Sequence, residues 1–120
     1  MDSQWNVLVE RCPARSSLVG IANRWTALVV IALAAGPLRF GVLQRTVEGV
    51  SAKVLAGTLR TLERDGLVSR SEHPGVPPRV DYELTELGRS LHAPLRALAD
   101  WAEAHLDEVA AARAAYDARP

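Results

Sequence analysis

Between Ser51 and the pair Asp65-Gly66, leucines at 55, 59 and 62 recur at helical spacing and leave every other side of the turn polar. That spacing predicts an amphipathic helix, with Ser51 as its N-cap and Asp65-Gly66 as its stop. Upstream, Phe40, Leu43 and Val47 mark a helix of about two to three turns that Gly49 breaks. Downstream, the period changes to two. Residues 67–72 and 79–84 read as strands, the second alternating Val80, Tyr82 and Leu84 with Arg79, Asp81 and Glu83. The segment between them, Pro74-Gly75-Val76-Pro77-Pro78, cannot sit inside a sheet and is predicted as their loop.

The flanks are helical. Pro13 stands near the start of a short predicted helix over 15–22. Asn23 is the predicted N-cap of the next one, whose apolar face is Trp25, Leu28, Val29, Ala32 and Leu33 and which Gly36-Pro37 ends. Leu38-Arg39 is a candidate for a very short strand. Thr85 is predicted to cap a long last helix with the stripe Leu87, Leu91, Leu95, Leu98, Ala102, Leu106 and Val109. Pro94 falls inside that stripe and predicts a kink or a break; the Ala-rich end is expected to fray. Two helices joined by a tight turn and followed by a hairpin are the order of a winged helix-turn-helix. The predicted fold is therefore mainly α with a small β-hairpin wing. One domain spans 1–120, with the helix-turn-helix at about 39–66, the wing at about 67–84 and a long helix at about 85–112.

Composition changes this picture little, and charge changes it more. At 120 residues and 48% hydrophobic, the chain is long enough to bury one core. The longest mostly apolar run, 25–35, is too short to span a bilayer, and the first residues lack the basic-then-apolar layout of a signal peptide. A cytoplasmic protein with no membrane partner is the expectation. Formal net charge is zero, but residues 39–80 hold seven Lys/Arg against four Asp/Glu, whereas 81–120 hold four against eight. The middle of the chain is mildly basic and the tail acidic, and a local basic face matters more to a polyanion than the total.

With the three leucines turned to the core, Lys53, Gly57, Arg60 and Arg64 fall on the opposite face of the second helix. Lysine and arginine there supply phosphate charge and base-edge hydrogen bonds, and N–H groups at the Ser51 end suit a phosphate. Arg39 begins the preceding helix; Arg79 and His73 lie on the wing. These residues are the candidate contacts to double-stranded DNA, and the module places its second helix in the major groove.

A spaced set of segments then resembles one family. Arg24-Trp25-Thr26, Gly36-Pro37-Leu38-Arg39-Phe40, Gly49-Val50-Ser51, Leu59-Arg60-Thr61-Leu62-Glu63-Arg64-Asp65-Gly66-Leu67-Val68, Pro77-Pro78-Arg79-Val80-Asp81-Tyr82 and Leu84-Thr85-Glu86-Leu87-Gly88, with Cys12-Pro13 ahead of them, look like the HxlR-type winged helix-turn-helix transcriptional regulators. The resemblance covers about residues 10–106. It implies a DNA-binding regulator, more often a repressor, that acts as a homodimer through its N-terminal segment and long last helix, here Leu91, Leu95, Leu98, Trp101 and Leu106. It also implies that Cys12 is a candidate sensor of oxidants or electrophiles. The chain departs from the pattern at Gly57, where members often carry a long polar side chain, so base readout falls either to Lys53, Arg60 and backbone or to a different side chain.

Cys12 is the single cysteine, which excludes an intrachain disulfide. Arg11 and Arg15 flank it, and a helix start following it favours a thiolate; the competing expectation is an inert thiol packed at the dimer interface. With one thiol per chain, switching needs an intersubunit disulfide or a small-molecule adduct. His73, His92 and His105 do not pair with Cys12 at a metal-ligand spacing, so no metal and no cofactor are expected. No phosphate loop, nucleophile elbow or carboxylate pair stands out; Asp100, Glu103, Asp107 and Glu108 read as a solvated face, and the chain is not expected to be an enzyme. Trp5 and Trp101 are candidates for a cleft between subunits that accepts a small aromatic ligand. Two rival readings stay open: a winged-helix module that binds protein, and a ligand-binding protein with weak DNA affinity, the latter favoured by Gly57 and the zero net charge.

Overall fold

Pro13 lacks the N–H that a helix cannot use in its first turn, and it opens α1 (Pro13–Ile21) directly after Cys12. In the computed structural model, which describes residues 4–120, seven further elements follow: α2 (Thr26–Leu33), β1 (Leu38–Arg39), α3 (Phe40–Thr46), α4 (Ala52–Arg64), β2 (Val68–His73), β3 (Arg79–Leu84) and α5 (Glu86–Asp117). The three strands form one antiparallel sheet in the order β1-β3-β2. The fold is mostly helical with that small sheet, the winged helix-turn-helix order read from the pattern.

α4 has the boundaries its sequence predicts. Ser51 Oγ accepts the Val54 N–H at 3.1 Å. At the other end the Leu67 N–H donates to Leu62 O at 2.9 Å and the Gly66 N–H to Glu63 O at 3.1 Å, a Schellman closure that needs the positive φ of Gly66 (77°). Leu55, Leu59 and Leu62 are buried against Val29, Val30 and Leu33 of α2, Leu43 of α3, Val68 of β2, Leu84 of β3 and Leu95 of α5. All the elements therefore reach one core, α1 and β1 only through the partly buried Ile21 and Leu38, and the recognition-type helix is fixed by its inner face.

The start of α5 is tied to the end of α4 by backbone. Thr85 Oγ1 accepts the Gly88 N–H at 3.1 Å and donates to Gly66 O at 2.6 Å, while the Thr85 N–H donates to Leu67 O at 3.0 Å. Gly88 is buried at this crossing. A Cβ on it would collide with the Leu67 carbonyl and stand 3.2 Å from Leu84 Cδ2.

Several expectations are corrected. α5 passes through Pro94 without a break. Pro94 is exposed, so the lost hydrogen bond faces solvent, and Leu91 and Leu95 on either side of it pack on the core and hold the helical course. The tail does not fray early; α5 continues to Asp117, helped by alanines with high helix propensity. Leu95 is 7% exposed and belongs to the chain's own core. In α2 the inward face is Thr26, Val29, Val30 and Leu33, and Leu28 points outward at 44% exposure. Asn23 does not cap α2; its Oδ1 accepts the Trp25 N–H at 2.9 Å and so shapes the turn before the helix, for which Trp25 is the N-cap.

Candidate nucleic-acid interface

Lys53, Arg60 and Arg64 lie exposed on the outer side of α4, and Gly57 is half-buried among them. The Arg60 Nη2 stands 3.8 Å from the position a Cβ on Gly57 would occupy, so the guanidinium lies over the notch the glycine leaves. Two hydroxyls on the same helix are committed inward: Thr58 Oγ1 donates to Val54 O at 2.9 Å and Thr61 Oγ1 to Gly57 O at 3.1 Å. The polar equipment of the face is therefore cationic. Among the described residues Lys53, Arg60, Arg64, Arg39, Arg45 and Arg24 form no ion pair, so their charge is uncompensated at short range.

The wing is different. His73 and Arg79 are register partners across β2 and β3, and both reach Asp81 Oδ2, at 3.2 Å and 3.5 Å. Arg39 is the register partner of Asp81 on β1. One carboxylate thus stands amid three of the sequence-predicted contacts. The Arg70 Nη1 pairs with Glu72 Oε1 at 2.8 Å; Glu72 first and then Tyr82 raise the Arg70 pKa above its ordinary value. The wing's cations are held by acids of the same sheet, whereas those of α4 are not.

α3 and the turn complete the surface. Arg39 is the N-cap of α3, and Arg45 in its last turn folds back with Nη1 3.5 Å from the Cβ position of Gly41. Sequence reasoning missed Arg45 and Asp81. Arg45 was a visible cation on the first helix of the pair, but nothing in its spacing told solvent from interface; the role of Asp81 depends on strand register. Gln44 Nε2 donates to Val50 O at 3.4 Å and ties α3 to the turn. Gly49 turns there with φ 91°, and its Cβ position is 3.7 Å from Trp25 Cη2. The Arg24 guanidinium carbon lies 4.5 Å above the Trp25 ring.

Residues 20–110, about three quarters of this arrangement, match the family model described as HxlR-like helix-turn-helix. The chain belongs to the HxlR family. It is a helix-turn-helix transcriptional regulator, of a DNA-binding and not an enzymatic kind. This HxlR chain is 45% identical over 108 residues to the Escherichia coli K12 HTH-type regulator YtfH, covering 90% of this chain and 86% of that one. It is 35% identical to YdeP of Bacillus subtilis, over 90% of this chain and 87% of the relative. Among solved structures it resembles the putative regulator ytfH from Salmonella typhimurium, with a TM-score of 0.85, 44% identity and coverage of 92% and 98%. It also resembles the redox regulator HypR in its reduced form, with a TM-score of 0.76, 31% identity and coverage of 82% and 98%.

The remaining sequence-predicted residues of this HxlR chain lie away from α4. Cys12 is the N-cap of α1, 9% exposed, and its Sγ accepts the Asn6 N–H at 3.2 Å. Leu98 and Trp101 are 62% and 54% exposed on α5, Leu106 is exposed beyond them, and Leu91 is half-buried against the core. Trp101 stacks on His105 with centroids 4.7 Å apart. A half-open cleft of 710 Å³ runs between α1, the end of α4 and the start of α5. It is lined by Arg64 and Asp65 but by neither Trp5 nor Trp101. No group of acidic, histidine or cysteine side chains among the described residues has metal-binding geometry, and no single helix is long and apolar enough to cross a membrane.

Proposed function

We propose that this HxlR-family regulator binds operator DNA as a homodimer, lays α4 in the major groove, and represses by occupying a promoter. The observation that carries the reading is the outer face of α4. Among the described residues Lys53, Arg60 and Arg64 form no ion pair, and they lie beside a capped N-terminus whose first N–H groups have no acceptor inside the helix. The Asp81 network tempers the wing, which supports a division of labour: α4 for affinity and readout, the wing for placement. Self-association is supported by where the exposed large apolar side chains lie. Leu18 and Val19 on α1 and Leu87, Leu98, Trp101 and Leu106 on α5 form surface that an isolated chain leaves wet. A two-fold pair would set its recognition helices about 34 Å apart, one turn of DNA.

The test is binding of the purified protein to the DNA upstream of its own gene, against a scrambled duplex of the same composition, at two salt concentrations. Selective binding that weakens with salt is expected. The charge-reversed variant carrying Lys53→Glu and Arg60→Glu should lose binding to both duplexes while melting at the wild-type temperature. Unchanged binding by that variant would take α4 out of the contact, absence of duplex binding by the wild type would favour a protein-binding winged helix, and equal weak binding of the wild type to both duplexes would favour a ligand-binding protein with residual DNA affinity.

Response to an oxidant or electrophile at Cys12 is a second reading. The Sγ atom both receives the Asn6 N–H and belongs to the N-cap of α1, so a covalent change on sulfur disturbs the hydrogen-bonded turn of residues 6–12 that leads into that helix. Solved structures similar to this chain include the redox regulator HypR in reduced and oxidised forms and diamide-treated YodB from B. subtilis.

A further inference from the structure

We propose that Arg24, which lies outside the helix-turn-helix, is a contact to the DNA phosphate backbone, and that Trp25 is the platform that positions it. The proposal rests on the DNA-binding reading above and adds a residue to it. Four distances carry it. The Asn23 side chain fixes the backbone of Trp25 through a 2.9 Å hydrogen bond, and the Val29 N–H fixes its carbonyl at 3.0 Å. The far edge of the indole then reaches the turn between α3 and α4, 3.7 Å from the Cβ position of Gly49. The Arg24 guanidinium rests on the indole face at 4.5 Å. A cation from the segment before α2 is thereby carried to the side of the turn that leads into Ser51 and the N-terminus of α4.

Stacking also decides what the guanidinium can still do. The ring takes up the cation's charge and no hydrogen bond from the guanidinium is made among the described residues, so its N–H donors stay free for the paired oxygens of a phosphate. Arg24 is exposed and forms no ion pair among the described residues; Glu48, at the same turn, does not bind it. Its place beside the turn, rather than on the outward face of α4, suits the sugar-phosphate rail and not a base edge. Such a contact fixes register without reading sequence. A sequence scan that starts at Arg39 cannot find it, because the residue reaches the turn only through the fold.

The test is the salt dependence of binding for wild type, Arg24→Gln and Arg24→Lys on the upstream and scrambled duplexes. Arg24→Gln is expected to weaken both duplexes by the same factor and to make the slope of log K against log[salt] shallower by about 0.9 per bound subunit. Arg24→Lys is expected to keep the wild-type slope. An unchanged slope in Arg24→Gln, with or without a lower melting temperature, would overturn the proposal and leave Arg24 as a cover for the indole. A loss confined to the upstream duplex would overturn it as well, by making Arg24 a base reader. Salt-insensitive or absent binding by the wild type would instead remove the DNA reading itself, and Arg24 with it.

Discussion

Replacing Gly88 with alanine sets two effects of opposite sign against each other, and the structure decides between them. Helix propensity alone favours the change: alanine in a helix interior is better than glycine by about 1 kcal/mol. The new methyl, however, would occupy the place of the Leu67 carbonyl oxygen, with Leu84 Cδ2 only 3.2 Å away. Backbone cannot swing aside as a side chain can. To make room, α5 must draw back from the connection between α4 and β2, and the Thr85 N–H bond to Leu67 O, with the Thr85 hydroxyl bond to Gly66 O, lengthens or breaks. Each lost hydrogen bond costs about 1 kcal/mol, and overpacking of a closed site adds roughly 1–3 kcal/mol. Against the propensity gain the net is a destabilisation of about 2–4 kcal/mol, or roughly 8–15 °C in Tm for a domain of this size. Thermal unfolding followed by circular dichroism, at one fixed protein concentration because association also raises Tm, reads this directly. A Gly88→Ala protein that melts at or above the wild-type temperature would refute the reasoning, since propensity would then have outweighed the crossing.

Other outcomes follow from the same geometry. Converting Leu98 and Trp101 together to glutamate places charge on exposed apolar surface of α5, so it should halve the mass measured by light scattering and leave monomer helicity intact; an unchanged mass would remove α5 from the interface. Cys12→Ser should abolish any loss of operator binding on treatment with diamide or a quinone while leaving binding by the untreated protein within about threefold, a change under 1 kcal/mol; an unaltered oxidant response in the variant would end the sensor reading.

What the sequence made legible follows from how locally each feature is determined. α4 was readable end to end because its stripe, its Ser51 cap and its Gly66 stop all lie within sixteen residues and agree. α2 was not, since a helix apolar on nearly every side has no periodicity to say that Val30 goes in and Leu28 out. At Pro94 the local rule was correct about the lost hydrogen bond, but no break follows, because Leu91 and Leu95 anchor the helix on both sides of it. The stripe of α5 reads as one face from Leu87 to Val109, yet its members divide between the chain's own core at Leu95 and the surface at Leu98 and Trp101. That division depends on where the globular body stops, which no spacing records. In the candidate interface the cations of α4 were visible as a face. The sharing of Asp81 by His73 and Arg79, and the approach of Trp25 to Gly49, required the strand register and the packing of α2.

The crossing at Gly88 and Leu67 also has a mechanical meaning. Leu91 and Leu95 hold the next turns of α5 on the core, and beyond Leu95 the helix runs 22 further residues to Asp117, about 33 Å at 1.5 Å per residue. That outer part is a stiff rod anchored at one end, its base joined through the crossing to the last turn of α4. A tilt of five degrees at the base sweeps the far tip through roughly 3 Å over that length. Motion imposed on the rod at its tip returns to α4 with little amplitude but large leverage. The same backbone contact that stabilises the fold thus sets the gearing between the two ends of the molecule.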